Sequence, residues 1–210
     1  MRDLAKVFEH KIVDQKWYGY WDEIKAFRAD PNSTKPAFSM VLPPPNVTGT
    51  LHIGHALNQT LPDIVARWKR MRGFDVLWLP GTDHAGIATQ NVVEKQLAAE
   101  GKTRYDLGRV AFEACVWDWV KKSHGTITSQ MRKLGSSVDW SRERFTLDEK
   151  LSAAVRRVFV TLYREGLIYR GRYLVSWCTR CRTALSDLEV IHKPTLGKLY
   201  HVSYQLVDDS

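Results

Sequence analysis

The chain has 210 residues, of which 44% are hydrophobic, enough for a buried core and a globular protein. Lysine and arginine outnumber aspartate and glutamate by 31 to 23, and the net charge of +8 favours polyanions such as nucleotides or RNA as partners. The 3 cysteines argue against a disulfide-rich secreted protein, and the sequence contains neither a signal peptide nor the run of about 20 apolar residues that a membrane span needs. We therefore expect a cytoplasmic protein without a membrane partner.

The first part of the chain is predicted to begin with a helix and a strand. Residues 1–36 form an N-terminal helical extension, in which the aromatic side chains between residues 17 and 21 pack against the core. Residues 37–42 are almost entirely apolar, which is typical of a parallel strand covered on both faces. The prolines at 43–45 end this strand because proline cannot donate to the ladder.

A helix, a second strand and a further helix follow. Apolar residues recur at helical spacing over residues 53–71, Gly73 lies where a C-terminal cap is expected, and Pro62 predicts a kink or a break. Residues 74–79 predict a second buried strand, and residues 80–86 predict a turn into the next helix. This strand–helix–strand–helix order predicts an α/β fold with a parallel sheet.

The remainder of the chain predicts two long helices and then a different module. The helices cover residues 106–134 and 148–165, and three large side chains are their predicted core anchors, namely Trp117, Trp119 and Phe159. Short β-like runs at 173–177 and 198–207 indicate a β-rich module. We therefore divide the chain into three parts, residues 1–36, 37–170 and 171–210.

The two glycine- and proline-rich turns carry the candidate chemistry. Because the carboxyl ends of parallel strands meet at one sheet edge, we expect both turns to face one site. In the first turn, Gly49 and Gly54 let the backbone approach a ligand, and the helix start offers free N–H groups to phosphate. His52 and His55 share one face of the first helical turn and can donate to the same phosphate oxygens. The bare pair is equally compatible with packing, with helix capping and with two zinc ligands.

The segment around these histidines resembles a known signature. Residues 43–55 read Pro-Pro-Pro-Asn-Val-Thr-Gly-Thr-Leu-His-Ile-Gly-His, which is similar to the ATP-binding signature of class I aminoacyl-tRNA synthetases. The Pro-Pro-Pro-Asn-Val-Thr-Gly string and the second turn, residues 79–90, resemble the valine–tRNA ligases of that class, and Thr82 stands where the isoleucine and leucine enzymes usually carry tryptophan. Further matches at residues 68–73, 139–142 and 185–190 extend the resemblance over nearly the whole chain.

The resemblance implies a fold and a set of site residues. The expected fold is the first half of a Rossmann-like nucleotide-binding domain, followed by the start of a β-rich editing insertion. His52 and His55 are the expected catalytic residues, and Asp83 would bind the valine ammonium beside Pro43 and Asn46. Asp83 also fits a cap for the next helix. The positions expected to line the ATP site are Pro45, Asn46, Val47, Thr48, Gly49, Thr50, Leu51, His52, Ile53, Gly54 and His55.

The resemblance also sets limits on this chain. A Lys-Met-Ser-Lys-Ser loop that holds pyrophosphate in the family, most of the editing insertion and the anticodon-binding domain are expected outside these 210 residues. The basic residues Lys69, Arg70 and Arg72 are expected to form a solvated face rather than to replace that loop. Cys178 and Cys181 fit half of a zinc site, with no second pair evident.

The expected partners are valine, ATP, Mg2+ and tRNA(Val), and we expect a monomer. Two alternatives to an active ligase remain open at this point. One is a non-catalytic nucleotide- or tRNA-binding piece of the same family. The other is a small nucleotidyltransferase, which explains the first turn but not the second.

Overall fold

The computed structural model describes residues 7–205. The chain divides into two compact units, residues 1–168 and residues 169–210. The first unit therefore includes both the predicted N-terminal extension and the predicted nucleotide-binding part. The division into three parts stays a prediction.

The first unit contains two short parallel sheets of two strands each. Strand β1, Ala37–Val41, pairs in parallel with β2, Asp75–Leu79, with Ala37 opposite Asp75. After Pro80, strand β3, Gly81–Thr82, pairs in parallel with β4, Arg144–Phe145. The two predicted strands are confirmed, and β4 was not predicted.

The helices of the first unit match the predicted segments closely. They are α1 His10–Glu23, α2 Ile53–Met71, α3 Gly86–Ala99, α4 Arg104–Lys133 and α5 Glu149–Arg164. Helix α2 continues through Pro62, so the helix does not break there, and the predicted kink stays a prediction. Gly73 has a φ of 84°, the left-handed conformation that the predicted C-terminal cap requires.

The core of the first unit differs from the predicted core in two respects. It contains Trp78 of β2, Ala66 of α2 and Ile127 of α4. The predicted anchors Phe159 and Trp117 are 57% and 39% exposed, so both predictions are wrong. Strand β1 also lacks the predicted cover on both faces, because every second residue is exposed, beginning at Ala37.

Helix α2 turns its polar side, not its apolar stripe, toward the protein. Gln59 is buried, whereas Ile53 and Met71 at the two ends of the apolar stripe are each 86% exposed. Arg70 is half-buried and donates to the Ser137 hydroxyl at 2.7 Å and to the Ser137 carbonyl at 2.8 Å. The prediction of a solvated basic face is therefore wrong for Arg70, because its guanidinium is used to hold the segment after α4.

Lys69 also differs from the prediction. Its ammonium lies 4.5 Å from the ring centroid of Phe74 and 5.1 Å from that of Phe38. These cation–π contacts keep the lysine close to the sheet. Of the three predicted basic residues, only Arg72 is classed as exposed.

Helix α1 is fastened to the same unit through a buried tyrosine. The Tyr18 hydroxyl donates to the Ser136 carbonyl at 2.7 Å and accepts from the Trp140 indole at 2.6 Å. Burial raises the pKa of Tyr18, which keeps its hydroxyl a donor. An ion pair between Asp22 and Arg132 adds a contact at the end of the helix.

The second unit contains little regular structure among its described residues. Strand β5, Trp177–Cys178, pairs antiparallel with β6, Thr183–Ala184. The predicted runs at 173–176 and 198–205 are not strands, because exposed segments without a pairing partner form no ladder. Residues 206 and 207 of that prediction lie outside the described residues. Between residues 7 and 205, no helix is both long and apolar enough to cross a membrane.

Candidate active site

The two predicted turns lie side by side, as the parallel strand order requires. The amide of Val47 donates to the Asp83 carbonyl at 2.9 Å, and the amide of Asp83 donates to the Pro45 carbonyl at 2.9 Å. These bonds bring Asn46 opposite Asp83 in a parallel bridge. The histidine turn and the aspartate turn therefore form one continuous edge at the carboxyl end of the sheet.

The two histidines close the start of helix α2 with their Nδ1 atoms. His52 is the N-cap residue, and its Nδ1 accepts from the Gly54 amide at 3.1 Å. The His55 Nδ1 accepts from the His52 amide at 3.3 Å. An Nδ1 that accepts carries no proton, so each neutral ring carries its proton on Nε2. Capping is thus confirmed, and it leaves one N–H donor on each ring free for a ligand.

The His52 and His55 rings lie close together, and this contact affects the pKa of His55. Their centroids are 4.0 Å apart. Burial, and then the neighbouring His52 ring, lower the pKa of His55 below its usual value of 6.5. His55 is therefore neutral at pH 7, in agreement with its role as an acceptor at Nδ1.

Gly54 makes room for this arrangement. A Cβ on Gly54 would lie 2.9 Å from Cε1 of the His52 ring. The glycine was predicted to let the backbone approach a ligand, and the structure gives a second reason for it. The His52 ring packs against the helix start only because Gly54 has no side chain.

Two residues of α4 brace the first turn, and sequence reasoning did not identify this role. The Leu51 amide donates to the Gln130 side chain at 2.8 Å, and the Trp119 indole donates to the Val47 carbonyl at 2.8 Å. Both partners lie more than seventy residues along the chain. No local pattern could have indicated contacts of that range.

Asp83 occupies a half-exposed position in the second turn. Its Oδ1 accepts from the Thr146 hydroxyl at 2.9 Å, and its side chain is 33% exposed. Helix α3 has Ala85 as its N-cap residue without a side-chain cap. The alternative that Asp83 caps this helix is therefore wrong, and its carboxylate is available for another partner.

The predicted valine-site neighbours lie on an open face. Pro43 and Asn46 are exposed, whereas Pro45 between them is buried. Asn46 thus lies on an open surface beside Asp83, and Pro43 lies at an exposed position three residues before Asn46.

Metal binding has limited support in the described part of the chain. No group of three or more His, Cys, Asp and Glu side chains within it is arranged to hold a metal ion. Cys178 and Cys181 lie at and just after the β5 strand, where the Cys181 amide donates to the Cys178 sulfur at 3.3 Å. This backbone hydrogen bond lowers the pKa of Cys178. Two thiols make at most half of a closed zinc site.

Comparison with known proteins decides the family. The sequence model described as tRNA synthetases class I (I, L, M and V) matches residues 16–204. The chain belongs to this family. The resemblance predicted from residues 43–55 and 79–90 is thereby confirmed.

The similar curated proteins of the class I synthetase family include several valine–tRNA ligases. That of Geobacter sulfurreducens is 60% identical over 208 residues, which cover 99% of this chain and 23% of the relative. That of Thermotoga maritima is 56% identical over 209 residues, 99% of this chain and 24% of the relative. The chain thus spans about a quarter of the length of these relatives.

A solved structure confirms the α/β fold of this synthetase domain. It is the ternary complex of Agrobacterium radiobacter K84 agnB2 LeuRS with tRNA and LeuAMS. The TM-score is 0.74 at 29% identity, covering 88% of this chain and 22% of that one. The Rossmann-like class predicted for the parallel sheet agrees with this neighbour.

Proposed function

We propose that this chain carries the ATP- and valine-binding half-site of a valine–tRNA ligase. In the reaction, a carboxylate oxygen of valine attacks the α-phosphorus of ATP, pyrophosphate leaves, and the valyl group of the adenylate is then transferred to tRNA(Val). One observation carries the proposal, namely the hydrogen-bonded contact between the histidine turn and the Asp83 turn. It brings the start of α2 and the Asp83 carboxylate to one edge.

The histidines are proposed to bind phosphate oxygens through Nε2–H. Their Nδ1 atoms are already engaged by the helix start, which fixes the direction of both rings. Donors held in place before the reaction stabilise the charge that builds on the α-phosphate more effectively than donors that must reorient. The amides at the start of α2 are engaged by its cap, so the positive end of the helix dipole is what adds to this field. The residues proposed to line the ATP site are those from Pro45 to His55, except that Pro45 and Val47 are buried and can only support the others.

Asp83 is proposed to bind the valine ammonium. The turn that carries it is fixed by backbone bonds on both sides, so a charged partner meets a pre-oriented carboxylate. Pro43 and Asn46 are proposed to bound the same face. An apolar side-chain pocket rejects the isosteric threonine only weakly, so selection for valine is completed elsewhere in the whole protein.

The proposal also includes metal ions, a cellular location and an oligomeric state. Mg2+ would accompany ATP and neutralise phosphate charge. Zinc at Cys178 and Cys181 would need two further ligands from outside the described residues. A cytoplasmic monomer is the proposed form of the protein.

Calorimetry with ATP and valine tests the half-site directly. Wild-type chain should bind both ligands at millimolar concentrations or below, and both His55→Ala and His55→Gln should weaken ATP binding by about tenfold, the loss of one charge-assisted hydrogen bond. His55→Gln separates this loss from fraying of α2, because glutamine at this position can keep the hydrogen bond to the His52 amide. His201→Ala is the matched control, because His201 is an exposed histidine in the second unit. Equal ATP affinity of His55→Ala and wild type would contradict the proposed histidine role.

Valine-dependent exchange of pyrophosphate into ATP tests catalysis. If the wild-type chain catalyses this exchange and the exchange rate falls in His55→Ala, the result would support turnover by the half-site. Binding of ATP and valine without exchange would instead favour the non-catalytic alternative, in which the pocket is kept but the chemistry needs the rest of the protein.

A further inference from the structure

We propose that Thr146 is a positioning residue that orients the Asp83 carboxylate toward the amino group of the amino acid. This inference rests on the proposed ammonium-binding role of Asp83 and adds a residue to it. Thr146 lies sixty-three positions along the chain from Asp83, directly after strand β4.

The hydrogen bonds around the Thr146 hydroxyl leave it one possible arrangement. Its oxygen lies 2.9 Å from Asp83 Oδ1, 2.9 Å from the His84 amide nitrogen and 2.5 Å from the His84 Nδ1. A hydroxyl has one proton to donate and two lone pairs to accept. The backbone N–H can only donate, so it takes one lone pair.

The second lone pair must accept from His84. If the His84 Nδ1 were an acceptor, it would take the only hydroxyl proton, and two bare oxygens would face each other at the Asp83 contact. With Nδ1 protonated, every group has a partner and the hydroxyl proton points at Asp83 Oδ1. His84 thus directs the Thr146 proton. Its Nδ1 also lies 3.5 Å from Asp83 Oδ1, but Thr146 makes the closer contact at 2.9 Å and holds the carboxylate.

The backbone fixes the position from which Thr146 acts. Its amide donates to the Thr82 carbonyl at 3.2 Å, and β4 pairs with β3 immediately before Asp83. A threonine side chain has few accessible rotamers, so the hydroxyl is held with little loss of freedom. The bond to Oδ1 therefore sets the rotation of the carboxylate.

This rotation leaves the other carboxylate oxygen available. Among residues 7–205, Oδ2 of Asp83 makes no hydrogen bond or ion pair. We infer that Oδ2 is the oxygen that meets the ammonium. A carboxylate that rotates freely would lose part of this binding because the productive orientation would be populated only part of the time.

Substitutions of Thr146 separate positioning from folding. Thr146→Val removes the hydroxyl and keeps the shape, Thr146→Ser keeps the hydroxyl, and Asp83→Asn removes the charge that the hydroxyl orients. Thr126→Val is the matched control, because within residues 7–205 the Thr126 hydroxyl bonds only the Lys122 carbonyl of its own helix, at 3.0 Å. Circular dichroism melting of each variant verifies that the fold is retained.

Valine binding and a direct view of the carboxylate are then measured on the full chain. Thr146→Val should raise the valine Kd by about tenfold, Thr146→Ser should restore it to near the wild-type value, and ATP binding should be unchanged in both. The carbon-13 carboxyl resonance of Asp83 should move in Thr146→Val, without any ligand, and return in Thr146→Ser.

The outcomes distinguish this inference from the proposed function. Unchanged valine affinity in Thr146→Val, with affinity lost in Asp83→Asn, would overturn the Thr146 role and leave the function standing. Unchanged affinity in Asp83→Asn, or no valine binding by the wild type, would overturn the ammonium site itself. Valine affinity that falls equally in Thr146→Val and Thr146→Ser would assign Thr146 a structural role only.

Discussion

Strand β3 approaches β4 so closely that only glycine fits at position 81. A Cβ built on Gly81 would lie 2.9 Å from the carbonyl oxygen of Arg144, which is a backbone atom. That carbonyl cannot rotate away like a side chain, because the segment is tied by the Arg144 amide to the Pro80 carbonyl at 3.1 Å. We therefore predict that Gly81→Ala forces the two strands apart.

The size of the effect follows from the cost of crowding a packed contact. Forcing an extra carbon into a tight site costs about 1–3 kcal/mol, a sizeable part of a typical domain stability of about 5–15 kcal/mol. Gly49→Ala is the control, because no atom lies within 4 Å of its added Cβ. That variant should be neutral or slightly stabilising, since alanine restricts the unfolded chain.

Urea unfolding followed by tryptophan fluorescence measures the difference. With a slope near 2 kcal/mol per molar urea, Gly81→Ala should lower the midpoint by about 0.5–1.5 M relative to wild type. Valine binding should also weaken, because Asp83 follows β3 directly. A Gly81→Ala midpoint equal to that of Gly49→Ala would refute the reasoning.

Two further predictions concern other parts of the first unit. Tyr18→Phe should lower the free energy of unfolding by about 1–3 kcal/mol, because the indole of Trp140 loses its acceptor. Tyr20→Phe is the control and should change this free energy little, because the Tyr20 ring is half-exposed. Urea unfolding measures both variants. The ring protons of His55 should titrate below pH 6.5 in NMR spectra, and His52→Gln should raise the midpoint only in part, because burial is the larger cause. A His55 midpoint at or above 6.5 in the wild type would contradict the geometry of the pair.

The edge that carries the candidate site was predictable from the order of its elements. Two apolar runs, each followed by a glycine- and proline-rich turn and a helix, indicate parallel strands, and parallel strands bring those turns together. The contact between Asn46 and Asp83 is the result. The positive φ at Gly73 was predictable as well, because helices commonly end on a left-handed residue.

The support for that edge could not be predicted. Strand β4 has two residues, too few for any periodic signal, so Thr146 gave no sign of its contact with Asp83. The periodicity of the sequence also shows that α2 has an apolar stripe, but it does not show which face of the helix packs against the rest of the protein. The structure buries Gln59 and leaves Ile53 exposed, because the neighbours of a helix decide this and its own sequence does not.

The N-cap position of α2 is occupied by His52, whereas serine or aspartate is the common choice there. The two nitrogens of the ring offer an explanation, because one caps the helix and the other is proposed to bind phosphate. A hydroxyl or carboxylate that closes a helix has its remaining atoms beside the same backbone. An imidazole has two nitrogens on different sides of a rigid ring, so one can face the helix while the other faces outward. Replacement of His52 by alanine would therefore remove the helix cap together with the proposed phosphate donor, and the fraying of the helix would be mistaken for lost chemistry. Asparagine at position 52 separates them, since its short amide closes the helix but cannot extend to the outward position of Nε2.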